Sequence, residues 1–451
     1  MKEKMMGLKR TALFISTFMI LITLTLIFSN VWNTNYSETI IFPFYRRGNI
    51  LVVVIYGVLS FVFTKIYNGY KIGFIKLTEI IYSQILSLLF VNILTYLQIS
   101  LIGREFLNIY PIIRMTIVQV MVIMIWSYLT NKLYFYVYPP RETILIYSDE
   151  ESMQVAKKMN FHKDKFNITS KISIFSGKEE ILKNIIGADA IVISGVKSKE
   201  REYIVNYCYE NSIRIYIVPQ IEDIIISSGN MIHLIDTPMF LLRNRGLSPE
   251  NRFAKRFIDI VVSLIAIIIT SPFMIVVALL IKLYDGGPAL FKQKRLTLDG
   301  KIFEVYKFRS MIVNAERDGV ARLASKNDSR ITPIGKFIRM VRLDELPQLF
   351  NILKGDMSLV GPRPERPEIA EEYCKEMPEF NYRLKVKAGL TGYAQVLGKY
   401  NTTPKDKLLL DMLYIENYSL FLDFKLILMT IKILFMSEST EGVDEGTILP
   451  K

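Results

Sequence analysis

The stretch from Arg339 to Glu368, RMVRLDELPQLFNILKGDMSLVGPRPERPE, sets an acidic pair, Asp344 and Glu345, between Arg339 and Arg342 on one side and Arg363 and Arg366 on the other. Carboxylates among guanidinium groups suit chemistry on phosphate. The arginines neutralise charge through bidentate forks, and the acidic pair can help to hold Mg²⁺. Pro347 fits the first turn of a helix, which places the acids at a helix N-terminus, where free N–H groups favour an anion. An Asp-Glu pair alone would be read as a helix cap. The arginines around it favour the phosphate reading, and Pro362, Pro364 and Pro367 stiffen the backbone that presents two of them. His162 and His233 are the only histidines and lie far away in sequence, so a general base here would be a carboxylate.

Other residues could serve the same chemistry. EVYKFRSM alternates as a strand does, with Val305, Lys307 and Arg309 on one face and Tyr306 and Phe308 on the other. Two cations so spaced could grip a diphosphate, although a solvated strand face has the same pattern. Lys385 and Lys387 precede Gly389 and Gly392, but no Gly-Lys-Ser/Thr opening of a helix follows, so this is a weak phosphate loop. Asp411, on a later helical stretch, is a candidate supporting acid behind the site. A solvated charge is the plainer reading of it.

The elements that must position these residues begin in a membrane. Of 451 residues 51% are hydrophobic, and the net charge of +13 points to anionic partners. Cys208 and Cys374 are the only cysteines, which rules out a disulfide framework and a cysteine-based zinc site. Four nearly uncharged runs, Thr11 to Phe28, Ile50 to Thr64, Ile80 to Leu97 and Met115 to Leu133, approach the ~17–25 residues a spanning helix needs. Lys2, Lys4, Lys9, Arg10, Lys65, Lys71 and Lys76 flank one side, against Arg46, Arg47, Arg104 and Arg114 on the other. That bias puts the N-terminus, and the chain beyond the fourth span, in the cytoplasm.

From Arg141 to about Arg245, TILIYS, ADAIVISGV and IRIYIVP read as buried strands, and EESMQVAKKMN and KSKEREYIVNYCYEN as helices between them. The alternation predicts a small Rossmann-like parallel sheet. Its first strand runs into YSDEESM without the glycines that let a pyrophosphate approach, so a regulatory or structural role is expected. Ile260 to Ile281 is then uncharged and long enough to cross a bilayer. Pro272 near its middle removes one backbone hydrogen bond, and basic residues lie at both ends: Lys255 and Arg256 before, Lys282 after. A helix that breaks at Ser271-Pro272 and leaves by the face it entered satisfies both facts. The stretch from Arg252 to Ser310 has an excess of Lys and Arg, which suits a domain seated on anionic headgroups. DKLLLDMLYIENYSLF and DFKLILMTIKILF read as core or interfacial helices.

From about Lys255 to Glu445 the sequence resembles the bacterial sugar transferase family, the polyprenyl-phosphate glycosyl-1-phosphate transferases that prime exopolysaccharide, capsule and O-antigen synthesis. The likeness runs in order through KRFIDIVVS, SP, GGPALFKQKR, YKFRSM, TPIGKFIR, RLDELPQLFNILKGDMSLVGPRP and AGLTGYAQV. One departure is Gly286-Gly287, where the family more usually has a Ser-Pro-Gly type of turn.

The resemblance implies a multi-pass protein of the bacterial inner membrane in the family's long form. That form has four transmembrane helices over 1–138, a Rossmann-like domain over 139–246, and a mixed α/β monotopic catalytic domain over 247–451 with a re-entrant helix near 257–282. The catalytic domain would lie on the cytoplasmic face. The family's Asp-Glu dyad falls on Asp344 and Glu345, with Mg²⁺ as cofactor, its helix break on Ser271 and Pro272, and its phosphate-binding cations on Lys307, Arg309 and Arg363. The implied partners are a UDP-sugar, undecaprenyl phosphate and inner-membrane phospholipids. A homodimer is left open, and nucleic acid is not expected. The alternatives, a membrane-anchored nucleotide-sugar sensor or a transporter-associated regulator, leave Asp344 and the arginines without a purpose.

Overall fold

The computed structural model describes residues 2–40, 42–160, 164–242, 246–313, 315, 328, 330–398 and 402–434. His162, residues 243–245 and the end of the family likeness beyond residue 434 lie outside them. The chain divides into two compact units, Met1–Val218 and Pro219–Lys451.

The first unit opens with four helices, α1 (Lys2–Asn35), α2 (Arg46–Ile66), α3 (Leu77–Gly103) and α4 (Tyr110–Val137). Each contains one of the apolar runs read from the sequence, and all four are long and apolar enough to cross a membrane. Many of their apolar side chains are exposed, and several buried polar ones bond to each other. Tyr56 Oη donates to Asn92 Oδ1 at 3.0 Å, Asn92 Nδ2 to Gln119 Oε1 at 3.1 Å, and Gln119 Nε2 to the Leu24 carbonyl at 3.1 Å. With no water in hydrocarbon, such groups must be satisfied inside the protein.

The α/β part follows as β1 (Arg141–Tyr147), α5 (Glu150–Asn160), β2 (Phe166–Ser173), α6 (Lys178–Ile185), β3 (Ala190–Ser194), α7 (Ser198–Glu210) and β4 (Arg214–Ile217). The four strands form a parallel sheet in the order β2-β1-β3-β4. Ile181, Ile185, Ile204 and Cys208 of α6 and α7 cover one face, against Ile144, Ile146, Ile191 and Ile193. Strand β2 was not foreseen: it is an edge strand whose residues FNITSKIS are largely half-exposed, so it lacks an apolar run. Where a dinucleotide fold would cradle phosphate, the Asp149 carboxylate accepts from Ser152 N at 2.7 Å and caps α5 itself.

The second unit contains α8 (Ile221–Ser227), the hairpin β5 (Asn230–Leu234) and β6 (Thr237–Leu241), the long α9 (Pro249–Asp285), and the hairpin β7 (Leu290–Leu296) and β8 (Ile302–Phe308). Then come α10 (Pro333–Met340), α11 (Gln348–Lys354), β9 (Ser358–Val360), α12 (Pro367–Glu376), β10 (Gly389–Thr391), α13 (Tyr393–Leu397), α14 (Pro404–Glu416) and α15 (Leu420–Leu434). Its core joins Val305, Leu349, Ile352, Met357, Phe380, Leu408, Met412 and Leu426, and Ile224 of α8 packs into it. α14 and α15 are therefore core helices, as their length suggested.

Residues 249–285 form one helical run through Pro272, so a change of direction there is a bend within the helix and not a gap in it. Ser271 compensates: its Oγ donates to the Ile268 carbonyl at 3.0 Å, the acceptor that Pro272 leaves without a backbone N–H. Both ends of α9 bear on the second unit. Near its start Lys255 Nζ meets Asp423 Oδ2 at 2.6 Å, Arg256 donates to the Ile352 and Leu353 carbonyls at 2.6 and 2.7 Å, and Asp259 Oδ1 accepts from Leu359 N at 2.9 Å. Near its end Met274, Val277 and Ile281 pack on Phe308 and Ile338, and Asp285 pairs with Arg309.

Lys255 and Asp423 are each more than nine-tenths buried, so either alone is a stranded charge. Asp423→Leu is expected to destabilise the second unit by about 3–5 kcal/mol, and the double variant Lys255→Met/Asp423→Leu to recover most of that loss in the same denaturation measurement. Equal losses in the single and double variants would show that the pair does not act as a unit.

Candidate active site

Local sequence fixes the turn that presents the acids. Thr332 caps α10, with its Oγ1 accepting from Gly335 N at 2.9 Å, and Pro333 follows at the helix start. The helix ends before Arg342, which takes a left-handed conformation at φ 55° and turns the chain into a short 3₁₀ segment, Leu343–Glu345. Pro347 then caps α11. Asp344 and Glu345 therefore sit just ahead of α11, at the helix N-terminus that Pro347 suggested.

Glu345 Oε1 accepts from Lys307 Nζ at 3.2 Å and from Arg363 Nη2 at 3.0 Å. Three separate elements thus meet at one oxygen: β8, the 3₁₀ turn and the loop between β9 and α12. Burial works against the Glu345 charge, but Lys307 and Arg363, with Arg342 behind them, outweigh it and hold this carboxyl well below the usual range. Asp344 goes the other way. Burial and then the neighbouring Glu345 charge push it up, in spite of Lys307, Arg339 and Arg363. No hydrogen bond or ion pair engages the Asp344 carboxylate among the described residues, and Glu345 Oε2 is likewise unengaged.

The cations are held from behind. Asn351, fully buried in α11, donates from Nδ2 to the Glu304 carbonyl at 2.7 Å and accepts at Oδ1 from Tyr306 N at 2.9 Å, which fixes the strand just before Lys307. The loop of Arg363 is pinned by Arg295, donating to the Pro364 carbonyl at 3.0 Å, and by Arg383, donating to the Arg363 carbonyl at 3.1 Å. Arg383 also meets Asp411 Oδ2 at 2.7 Å and Glu365 Oε1 at 3.4 Å. Asp411 is only 1% exposed, so the solvated charge is excluded, and its tie to the loop runs through Arg383.

The structure thus gathers Asp344, Glu345, Lys307 and Arg363, with Arg339 and Arg342 within electrostatic reach. Arg309 departs from expectation. The strand ends at Phe308, and Arg309 pairs with Asp285 at the end of α9. Gly287 admits this guanidinium where a Cβ would collide with it, which gives the Gly286-Gly287 turn its physical reason. Arg366 stands at the N-cap of α12, and Ser271 and Pro272 belong to the apolar helix. Gly389 and Gly392 lie against the backbone of Gly361, where no Cβ fits, and close the β9–β10 pair instead of making a phosphate loop. Sequence reading missed Arg383 and Asn351; the one available signal was that a helical Asp411 among leucines needs a cation.

Residues 250–437 match the family model described as bacterial sugar transferase. Over 228 residues the chain is 41% identical to a UDP-N-acetylgalactosamine-undecaprenyl-phosphate N-acetylgalactosaminephosphotransferase of Aeromonas hydrophila, covering 50% of this chain and 53% of that one. Over 288 residues it is 34% identical to a UDP-glucose:undecaprenyl-phosphate glucose-1-phosphate transferase of Klebsiella pneumoniae, covering 62% of each. Over 130 residues it is 52% identical to a Bacillus subtilis protein named "Putative undecaprenyl-phosphate N-acetylgalactosaminyl 1-phosphate transferase", covering 29% of this chain and 72% of that one. The matched region spans 48–62% of the length of the first three curated relatives.

Arg383→Lys keeps the charge but loses the planar fork that reaches Asp411, Glu365 and the Arg363 carbonyl together. It is expected to destabilise the second unit by about 2–3 kcal/mol, as hydrogen bonds to charged groups are lost. Unchanged denaturation would show that a point charge suffices behind Arg363.

Proposed function

Because the chain belongs to the bacterial sugar transferase family, we propose that it transfers a sugar 1-phosphate from a UDP-sugar to undecaprenyl phosphate, giving undecaprenyl-diphosphate-sugar and UMP, as the first membrane step of exopolysaccharide, capsule or O-antigen synthesis. The observation that carries this reading is a carboxylate with no side-chain partner among the described residues, Asp344, beside a second one, Glu345, that gathers Lys307 and Arg363.

In the first half-reaction Asp344 attacks the β-phosphorus of the donor. A bond forms from its carboxylate oxygen to phosphorus, the bridging bond between phosphorus and oxygen breaks, and UMP leaves with the electron pair. In the second half-reaction a phosphate oxygen of undecaprenyl phosphate displaces Asp344 from that phosphorus, which restores the carboxylate. Lys307 and Arg363, with Arg339 near Asp344, stabilise charge on the transferring group. Mg²⁺ suits the residues present, because it is commonly bound through one or two carboxylates together with substrate phosphates. Asp344 and the unengaged Oε2 of Glu345 would hold it, and it would supply further neutralisation of phosphate charge.

The placement of α9 supports a catalytic half on one face of the inner membrane. Its first turns are tied to Asp423 and Leu359 and its last residue to Arg309, all in one unit rich in polar and charged groups. A helix whose two ends serve one such body enters and leaves by the same face, here the cytoplasmic one. In a Cys374→Ser background, Phe253→Cys and Leu283→Cys should both be labelled from the cytoplasmic side by an impermeant thiol reagent. Labelling from opposite sides would sink this topology.

The covalent route makes a separate demand. Labelled UMP should exchange into UDP-sugar in the absence of any lipid acceptor, and Asp344→Asn should abolish both exchange and turnover. Glu345→Gln should depress both by about 10²-fold or more, since it frees two cations and removes a carboxylate. Exchange that begins only when lipid is added would exclude Asp344 as the nucleophile.

A further inference from the structure

A groove of about 260 Å³ opens in the first unit between the N-terminal part of α1, the α2–α3 loop and the end of α4. Leu13, Phe14 and Ile72 make its apolar wall, and Tyr70, Tyr134 and Lys71 its polar one. The loop is built to fit: Gly73 has φ 73° and lies against the Tyr134 ring, where no side chain could be placed. Four cations gather at this end of the unit. Lys71 lines the groove, and Lys165 Nζ sits 3.5 Å over the ring of Phe74, another lining residue. Arg141 opens β1, Arg214 opens β4, and both lie within electrostatic reach of Lys165 and Tyr134. None of the four forms an ion pair among the described residues, and Arg141 spends one N–H on Tyr216 Oη at 3.0 Å.

Like charges that outnumber the acids near them are costly to bring together unless an anion completes them. Burial, with Arg141 and Arg214, pushes the Lys165 ammonium down to about 8, and Asp164 is the acid that pulls the other way. The groove also adjoins the apolar outside of the bundle, where Phe14 is 71% exposed. A free phosphate would use the cations and leave that wall uncovered, whereas a lipid uses both. We propose that this groove is a binding site for an anionic glycerophospholipid, its phosphate held among Lys71, Lys165, Arg141 and Arg214 and an acyl chain laid along Leu13 and Phe14. Bulk lipid of this kind reaches the site by diffusion in the leaflet and needs no dedicated supply.

Trp32 and Trp126 are the only tryptophans and both lie in this bundle, so tryptophan fluorescence reports its melting. Full-length protein in nanodiscs containing phosphatidylglycerol should melt about 2–4 °C above the same protein in phosphatidylcholine alone, as expected of a ligand bound to the folded state. Lys165→Gln/Arg214→Gln should melt like wild type in phosphatidylcholine and lose the rise. Lys71→Gln, a change on an exposed loop residue, should lower phosphatidylglycerol retention in native mass spectrometry at least threefold, independently of how the double variant folds. Equal wild-type melting in the two lipids, or a rise that survives the double variant, would overturn the proposal. So would the full rise in phosphatidylcholine on adding undecaprenyl phosphate alone, which would make the occupant the acceptor lipid, or on adding inorganic phosphate alone.

Discussion

Charge at Glu345 Oε1 organises the second unit. A carboxylate this buried is tolerable only when cations reach it, and Lys307 and Arg363 come from a strand and a loop distant in sequence. Each needs its own support. The Asn351 amide takes the place of a neighbouring strand for Glu304 and Tyr306, and Arg295 and Arg383 hold carbonyls of the Arg363 loop. Loosening any of these supports weakens the neutralisation of Glu345. It also leaves Asp344 beside a less compensated neighbour, so the two carboxylates form one electrostatic system with different assignments. One gathers two cations on a single oxygen and the other is kept open.

The chemistry-bearing residues were legible where they lie close in sequence. Arg339, Arg342, Asp344 and Glu345 lie close together in sequence, and the prolines around Arg363 announce a rigid loop. Residues whose roles depend on partners far along the chain were not. Arg383 reads as one cation among aromatic neighbours, and Asp411 as a surface charge, until the fold places each beside the other. Alternation gave no sign of the partner of Arg309, because Asp285 comes from the end of α9. Strand β2 was hidden for a related reason: an edge strand needs little apolar content, and hydrophobic runs are what sequence reading detects.

Pro272 carries a local cost whether or not the helix is interrupted, and a hydroxyl one residue earlier meets part of it. What holds α9 in place is its polar ends, where Lys255, Arg256, Asp259 and Asp285 each bond to the globular part. In a segment otherwise so apolar, those charges act as addresses that specify which surface the helix base must meet.

The polar network inside the first unit bears on how the protein is made. Gln119 on α4 donates to Tyr56 Oη on α2 and to the Leu24 carbonyl on α1, and Asn92 on α3 bridges to both Tyr56 and Gln119. No three of these helices satisfy the set. During synthesis the amide of Asn92 enters the bilayer before α4 exists, and it must wait there, hydrated or transiently paired, until the fourth helix arrives. Biogenesis therefore has a vulnerable interval that ends only when the last helix is threaded, and slowed translation between α3 and α4 lengthens it.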